Sequence, residues 1–139
     1  MLVTGFGRIA KVLLKQLSAL GAHVTISARK CEDLALSKIM GATPVHLSDL
    51  SETLCGYDLI INTVPAPIFT RENLSKVKPG TLMIDLASKP GGIDFEAAKQ
   101  LSVHAIWALS LPGKVAPVTA GEYISNTILN ILEERGCQL

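Results

Sequence analysis

Gly5, Gly7 and Ala10 stand at the spacing of a turn built to receive a phosphate. In Val3-Thr4-Gly5-Phe6-Gly7-Arg8-Ile9-Ala10 an apolar run passes through two glycines into a helical pattern. Gly5 permits the tight turn, Gly7 lets backbone approach a pyrophosphate, and Ala10 lets helix and strand pack closely. The helix that follows offers free N–H groups and the positive end of its dipole to the anion. The same spacing also serves a plain strand-to-helix turn that binds nothing. Its place between strand and helix favours a dinucleotide, with Gly5, Phe6, Gly7, Arg8 and Ile9 as cofactor contacts.

Three further segments carry polar residues where strands end. Ser27-Ala28-Arg29-Lys30 lies about where a dinucleotide domain places the acid that holds the adenosine ribose. Two cations and a hydroxyl stand there instead, a set suited to a 2′-phosphate, so NADP(H) is favoured over NAD(H). Asn62-Thr63-Val64-Pro65 follows an apolar run and suits the ribose and nicotinamide side of a cofactor. Asp85-Leu86-Ala87 ends another strand and is read with it; Asp85 could also cap that strand. Ser88 and Lys89, ahead of Pro90-Gly91-Gly92, are candidates for the substrate side, where paired glycines would let backbone approach a ligand. Leu111 to Gly121 reads as a last loop, with Pro112, Gly113 and Thr119 as substrate-side candidates.

The elements that must position these residues alternate. Strands are expected at Met1–Thr4, His23–Ala28, Thr43–His46, Asp58–Thr63, Thr81–Asp85 and Val103–Trp107. Between them, Ile9, Val12, Leu13, Leu17 and Leu20 recur at helical spacing. Shorter helices are expected over Glu32–Met40, from a cap at Ser48 or Asp49 to Leu54, over Arg71–Ser75 and over Asp94–Leu101. Gly21 and Gly41 read as helix stops. Thr119-Ala120-Gly121-Glu122 has capping-box spacing for a final helix to about Glu134. Its apolar stripe, Ile124, Ile128 and Ile131 widened by Leu129 and Leu132, exceeds what a free surface needs. Strand–helix alternation implies parallel pairing with right-handed crossovers: a three-layer, doubly wound α/β fold of Rossmann type, residues 1–139 forming one domain.

Composition narrows the function. The 139 residues are 48% hydrophobic and only 4% aromatic, so the core must be aliphatic, as in a sheet buried on both faces. A net charge of +1 without a basic stripe speaks against nucleic acid, and no apolar run reaches a membrane span. Cys31, Cys55 and Cys137 are odd in number and widely spaced, which disfavours a disulfide framework or a metal site and suits the cytoplasm. They read as small buried or terminal thiols. His23, His46 and His104 fall at strand ends without clustering and read as structural. No combination of residues identifies a catalytic group, and hydride transfer demands little of the protein beyond orientation.

Taken together and in order, Gly5-Phe6-Gly7-Arg8, Ile61 to Pro65, Asp85 to Gly92 and Leu111 to Gly121 resemble the dipicolinate synthase A-subunit family. The resemblance implies oxidation of a dihydro- or hydroxytetrahydro-dipicolinate with NAD(P) as hydride acceptor, in sporulation, alongside a flavoprotein-like B-subunit of the same synthase. It carries cofactor contacts to Gly5, Gly7, Arg29, Asn62 and Pro65. It also implies a substrate domain ahead of the dinucleotide domain, for which the four residues before Gly5 leave no room, so that activity alone is not expected. A nucleotide-binding module without activity, or a relative of hydroxyacid and alanine dehydrogenases, are the other readings. Homo-oligomerisation is open.

Overall fold

A computed structural model describes residues 1–136. Cys137 lies outside the described residues. The chain divides into two units, Met1–Leu109 and a second beginning at Ser110.

The first unit alternates strands and helices: β1 (Leu2–Thr4), α1 (Arg8–Ala19), β2 (Thr25–Ala28), α2 (Cys31–Ile39), β3 (Thr43–His46), α3 (Leu50–Thr53), β4 (Leu59–Asn62), α4 (Arg71–Leu74), β5 (Leu82–Asp85), α5 (Phe95–Gln100) and β6 (His104–Trp107). Single 3₁₀ turns flank α3. The strands form one parallel sheet in the order β3-β2-β1-β4-β5-β6, which places β1 and β4 at its centre. The chain reverses its direction across the sheet between β1 and β4, so the loops after these two strands diverge and leave a crevice.

Alternation along the strands separates two cores. Leu2, Ile60 and Met83 face one side and pack with Leu50, Leu74 and Ala97 from α3, α4 and α5 and with Leu54 of the 3₁₀ turn after α3. Val3, Ile26 and Ile61 face the other and pack with Ala10 and Leu14 of α1 and Leu34 of α2. This is the expected three-layer Rossmann-type arrangement, with an aliphatic interior. Of the expected α1 stripe, Leu13 and Leu17 pack against the second core beside fully buried Ala10 and Leu14, whereas Ile9, Val12 and Leu20 are more than half exposed. Small Ala10, fully buried, permits the close approach of α1 to the sheet. Gly21 and Gly41, at φ +83° and +89°, follow α1 and α2 in the left-handed region that ends a helix.

Some local expectations are corrected. Neither Ser48 nor Asp49 caps the brief helix with its side chain; the His46 ring accepts from the Ser48 N–H instead. Cys31 and Cys55 are exposed rather than buried. The segment Leu111–Gly121 is not a loop. The second unit contains α6 (Leu111–Val115) and α7 (Pro117–Glu134), separated by Ala116. Proline lacks an N–H that the first helical turn does not use, so Pro112 and Pro117 start helices here. Pro117 starts α7 two residues before Thr119, whose hydroxyl caps nothing. No side chain of α7 is buried, and Ile124, Ile128, Leu129 and Ile131 lie exposed along it. Among the described residues no helix is long and apolar enough to cross a membrane.

Candidate functional site

A cleft of about 580 Å³ in the first unit opens at the carboxyl ends of the central strands. Its base is the glycine turn. Gly5 sits at φ +88°, and its N–H donates to the Ser27 carbonyl at 2.8 Å. A Cβ on Gly5 would fall 2.6 Å from Thr63 Oγ1 and 2.7 Å from Val64 Cγ2, so backbone and packing both require glycine. Gly7 differs: φ is −78°, and a Cβ there would meet nothing within 4 Å. Gly7 precedes α1 in extended conformation with no side-chain cap, and no acidic residue stands in the first turn of that helix. The leading N–H groups of this 12-residue helix therefore face the cleft without an internal partner.

Three chain segments complete the walls. Phe6, Arg8 and Ile9 continue from the turn; Ser27, Ala28, Arg29 and Lys30 close the end of β2; Thr63, Val64 and Pro65 follow β4. Lys11 lies 5.2 Å from the Phe6 ring centroid, a cation over an aromatic face. Asp33, Leu47 and Ile68 also line the cleft and were not singled out by the sequence. Each had a positional signal: Asp33 lies one helical turn beyond Arg29 and Lys30, Leu47 directly follows β3, and Ile68 belongs to the loop after β4. Asp33 makes no ion pair with Arg29 or Lys30, so acid and cations border the cleft independently.

Asn62, Asp85, Leu86 and Ala87 are not among the lining residues. They lie beneath the loops. Ser27, Thr4, Asn62 and Asp85 occupy one register row across β2, β1, β4 and β5, and all four are fully buried. Thr4 Oγ1 donates to Asn62 Oδ1 at 2.6 Å, and Asn62 Nδ2 donates to Asp85 Oδ1 at 2.8 Å and to the Val64 carbonyl at 2.9 Å. Asp85 also accepts from the N–H groups of Ala87 (2.9 Å) and Gly92 (2.7 Å). Ser27 Oγ, at the end of the row, has no hydrogen-bond partner among the described residues.

Gly91 and Gly92 lie close against this row. A Cβ on Gly92 would fall 2.4 Å from Asn62 Nδ2, and one on Gly91 would fall 2.9 Å from Asp85 Oδ2 and 3.2 Å from the Trp107 ring. Both glycines let the backbone pass close to side chains of the row. Ser88 and Lys89 are exposed, in a turn closed by the Gly91 N–H on the Ser88 carbonyl, and do not line the cleft. Pro112 and Gly113 lie in α6 and Thr119 in α7, all within the second unit. Among the described residues no group of three or more His, Cys, Asp or Glu has the geometry to hold a metal ion.

A parallel sheet wound in this order, with a glycine turn at its central strand, defines a Rossmann-type domain of the dehydrogenase kind. The family model described as shikimate / quinate 5-dehydrogenase matches residues 1–109, and the chain belongs to that family. It is also 41% identical over 132 residues to the dipicolinate synthase A-subunit of Bacillus subtilis (strain 168), covering 95% of this chain and 44% of that protein. The crystal structure of that Bacillus subtilis protein superposes with a TM-score of 0.92 over 96% of this chain and 45% of the other. The dipicolinate synthase A-subunit from Bacillus halodurans, 39% identical, gives 0.90 over 94% and 45%. The transhydrogenase from Sinorhizobium meliloti, 28% identical, gives 0.60 over 67% and 30%. The resemblance to the dipicolinate synthase proteins thus extends over nearly the whole chain, which spans a little under half the length of those relatives.

Proposed function

We propose that the chain is the nicotinamide-dinucleotide-binding part of an oxidoreductase of the dipicolinate synthase A-subunit type. The supporting observation is the cleft over Gly5–Ile9, where the uncapped start of α1 meets Arg29 and Lys30 from β2 and Thr63 to Pro65 from β4. A pyrophosphate would lie on the N–H groups of Gly7, Arg8 and Ile9, with charge from the Arg8 side chain. The adenosine would run toward Ser27–Lys30, with Leu47 as an apolar wall, and the nicotinamide toward Thr63–Pro65. Arg29 and Lys30 favour NADP(H) over NAD(H) through a 2′-phosphate.

Asn62, Asp85, Leu86 and Ala87 act in this reading from below, by fixing the loops that touch the cofactor. Ser88, Lys89, Pro112, Gly113 and Thr119 remain substrate-side residues in it. The bound cofactor supplies the hydride acceptor. The chain's own residues bind and orient it, exclude water with Phe6, Ile9, Leu47 and Ile68, and counter phosphate charge. The substrate by resemblance is a dihydro- or hydroxytetrahydro-dipicolinate in sporulating cytoplasm, handled with a flavoprotein-like second subunit.

Fluorescence titration of the purified chain with NADPH and NADH tests the reading. Enhanced nicotinamide fluorescence with tighter binding of NADPH is expected. No response to either at millimolar concentration overturns it.

A further inference from the structure

At the end of edge strand β3 a histidine reaches across to the neighbouring strand. The β2–β3 ladder stops at the pair Ala28↔His46. One residue further, His46 Nε2 lies 3.0 Å from the backbone carbonyl oxygen of Arg29. The other ring nitrogen, Nδ1, lies 3.3 Å from the Ser48 N–H nitrogen and 2.8 Å from Ser48 Oγ. Ser48 Oγ in turn donates to Asp49 Oδ1 at 2.6 Å.

A backbone carbonyl oxygen only accepts, so Nε2 carries the hydrogen given to Arg29. The imidazole therefore prolongs the ladder by one bond, beyond the last strand residue. That bond holds the peptide between Arg29 and Lys30, the two cations bordering the cleft. Lys30 is also the extended residue that begins α2, at φ −93° and ψ 131°. Fixing this peptide fixes the direction in which both side chains leave the backbone.

We infer that His46 is a positioning residue for nucleotide specificity: by holding the Arg29 carbonyl, it aims Arg29 and Lys30 at the phosphate on the adenosine ribose. The inference rests on the proposed cofactor reading and adds to it a residue that does not touch the ligand. A histidine serving only to secure an edge strand would affect all nucleotides alike. One that aims the cations acts on the phosphorylated ribose alone.

The test compares the full chain with H46A and H46Q. Glutamine places an N–H donor about as far from the backbone as Nε2 does, and it lacks the Nδ1 contact. Two readouts are taken: dissociation constants for NADPH and NADH, and hydrogen exchange of the segment 28–33 without nucleotide. H46A is expected to lower the NADPH-to-NADH preference by about five- to tenfold, the scale of one weakened charge-assisted contact. It should also speed exchange in 28–33, and H46Q should restore both to within about twofold of wild type. A wild-type protein that binds NADPH with a preference unchanged in H46A, or both nucleotides weakened equally, overturns the role of His46 and leaves the cofactor reading standing. A wild-type protein that binds neither nucleotide overturns both. Unchanged exchange in H46A removes the positioning contact itself.

Discussion

Asn62 Nδ2 donates to Asp85 Oδ1 at 2.8 Å, between fully buried residues at the same level of adjacent strands β4 and β5. With Thr4 on β1 they form a hydrogen-bonded row across the carboxyl edge of the sheet. Three of the loops that leave this edge are tied to it: the turn at Gly5, the segment from Thr63 to Pro65, and the return from Ala87 to Gly92. The row is the rigid floor on which the cleft is built.

Asp85 is an acceptor facing three N–H donors, and an amide in its place would turn an NH₂ toward at least one of them. D85N is therefore expected to lose about 2–4 kcal/mol of stability, seen as a lower denaturant midpoint. A loss below about 0.5 kcal/mol would mean that the row does not hold the loops.

Gly7 and Gly92 separate ligand contact from packing. G92A drives a methyl group into Asn62 and the Val64 carbonyl and should cost about 1–3 kcal/mol or more. G7A enters open space at an ordinary φ, so its stability should change by no more than about 0.5 kcal/mol. NADPH binding by G7A should nevertheless fall by about tenfold or more, because the methyl group stands where the pyrophosphate would lie. Thermal melts and nucleotide titrations on the same samples decide between the two effects.

The doubly wound parallel sheet and its aliphatic core followed from alternation of apolar runs with helical periods, and Gly5 was legible because a turn of that geometry admits little else. The fate of Asn62, Asp85 and the Gly91-Gly92 pair was not legible. A polar residue at a strand end looks the same in sequence whether it faces a ligand or a neighbouring strand, and only register shows that these pair with each other. Residues 111–121 misled for a local reason: proline marks a helix start as readily as a loop. Asp33 escaped notice because its place at the cleft depends on where α2 begins.

Arg29 and Asp33 should have opposite effects on nucleotide choice. R29A removes a cation from the rim and should weaken NADPH about tenfold while NADH changes little. D33N removes a negative charge from the same rim and should strengthen NADPH relative to NADH by a few-fold, more so at low salt. Equal losses for both nucleotides in R29A would remove the 2′-phosphate assignment.

Asp58 has its carboxyl held below the ordinary value of 3.8, first by a hydrogen bond from Lys78 and then by the charge of that residue. A folded-state value below the unfolded one contributes stability above pH 3.8, which is lost as pH falls through the lower folded value. Both side chains are solvent-exposed, so the contribution is small and screened by salt. Acid unfolding curves of K78M should begin at slightly higher pH than wild type in low salt and coincide with it in high salt. A difference that persists in high salt would place the effect elsewhere.

The central claim is that a dinucleotide lies on the glycine turn with its pyrophosphate at the start of α1. Backbone amide resonances followed during an NADPH titration address it most directly. The largest saturable shifts are predicted at Gly7, Arg8 and Ile9, with a second group at Arg29 and Lys30 that shrinks when NADH replaces NADPH. Shifts confined to other parts of the chain, or none at millimolar NADPH, would contradict it.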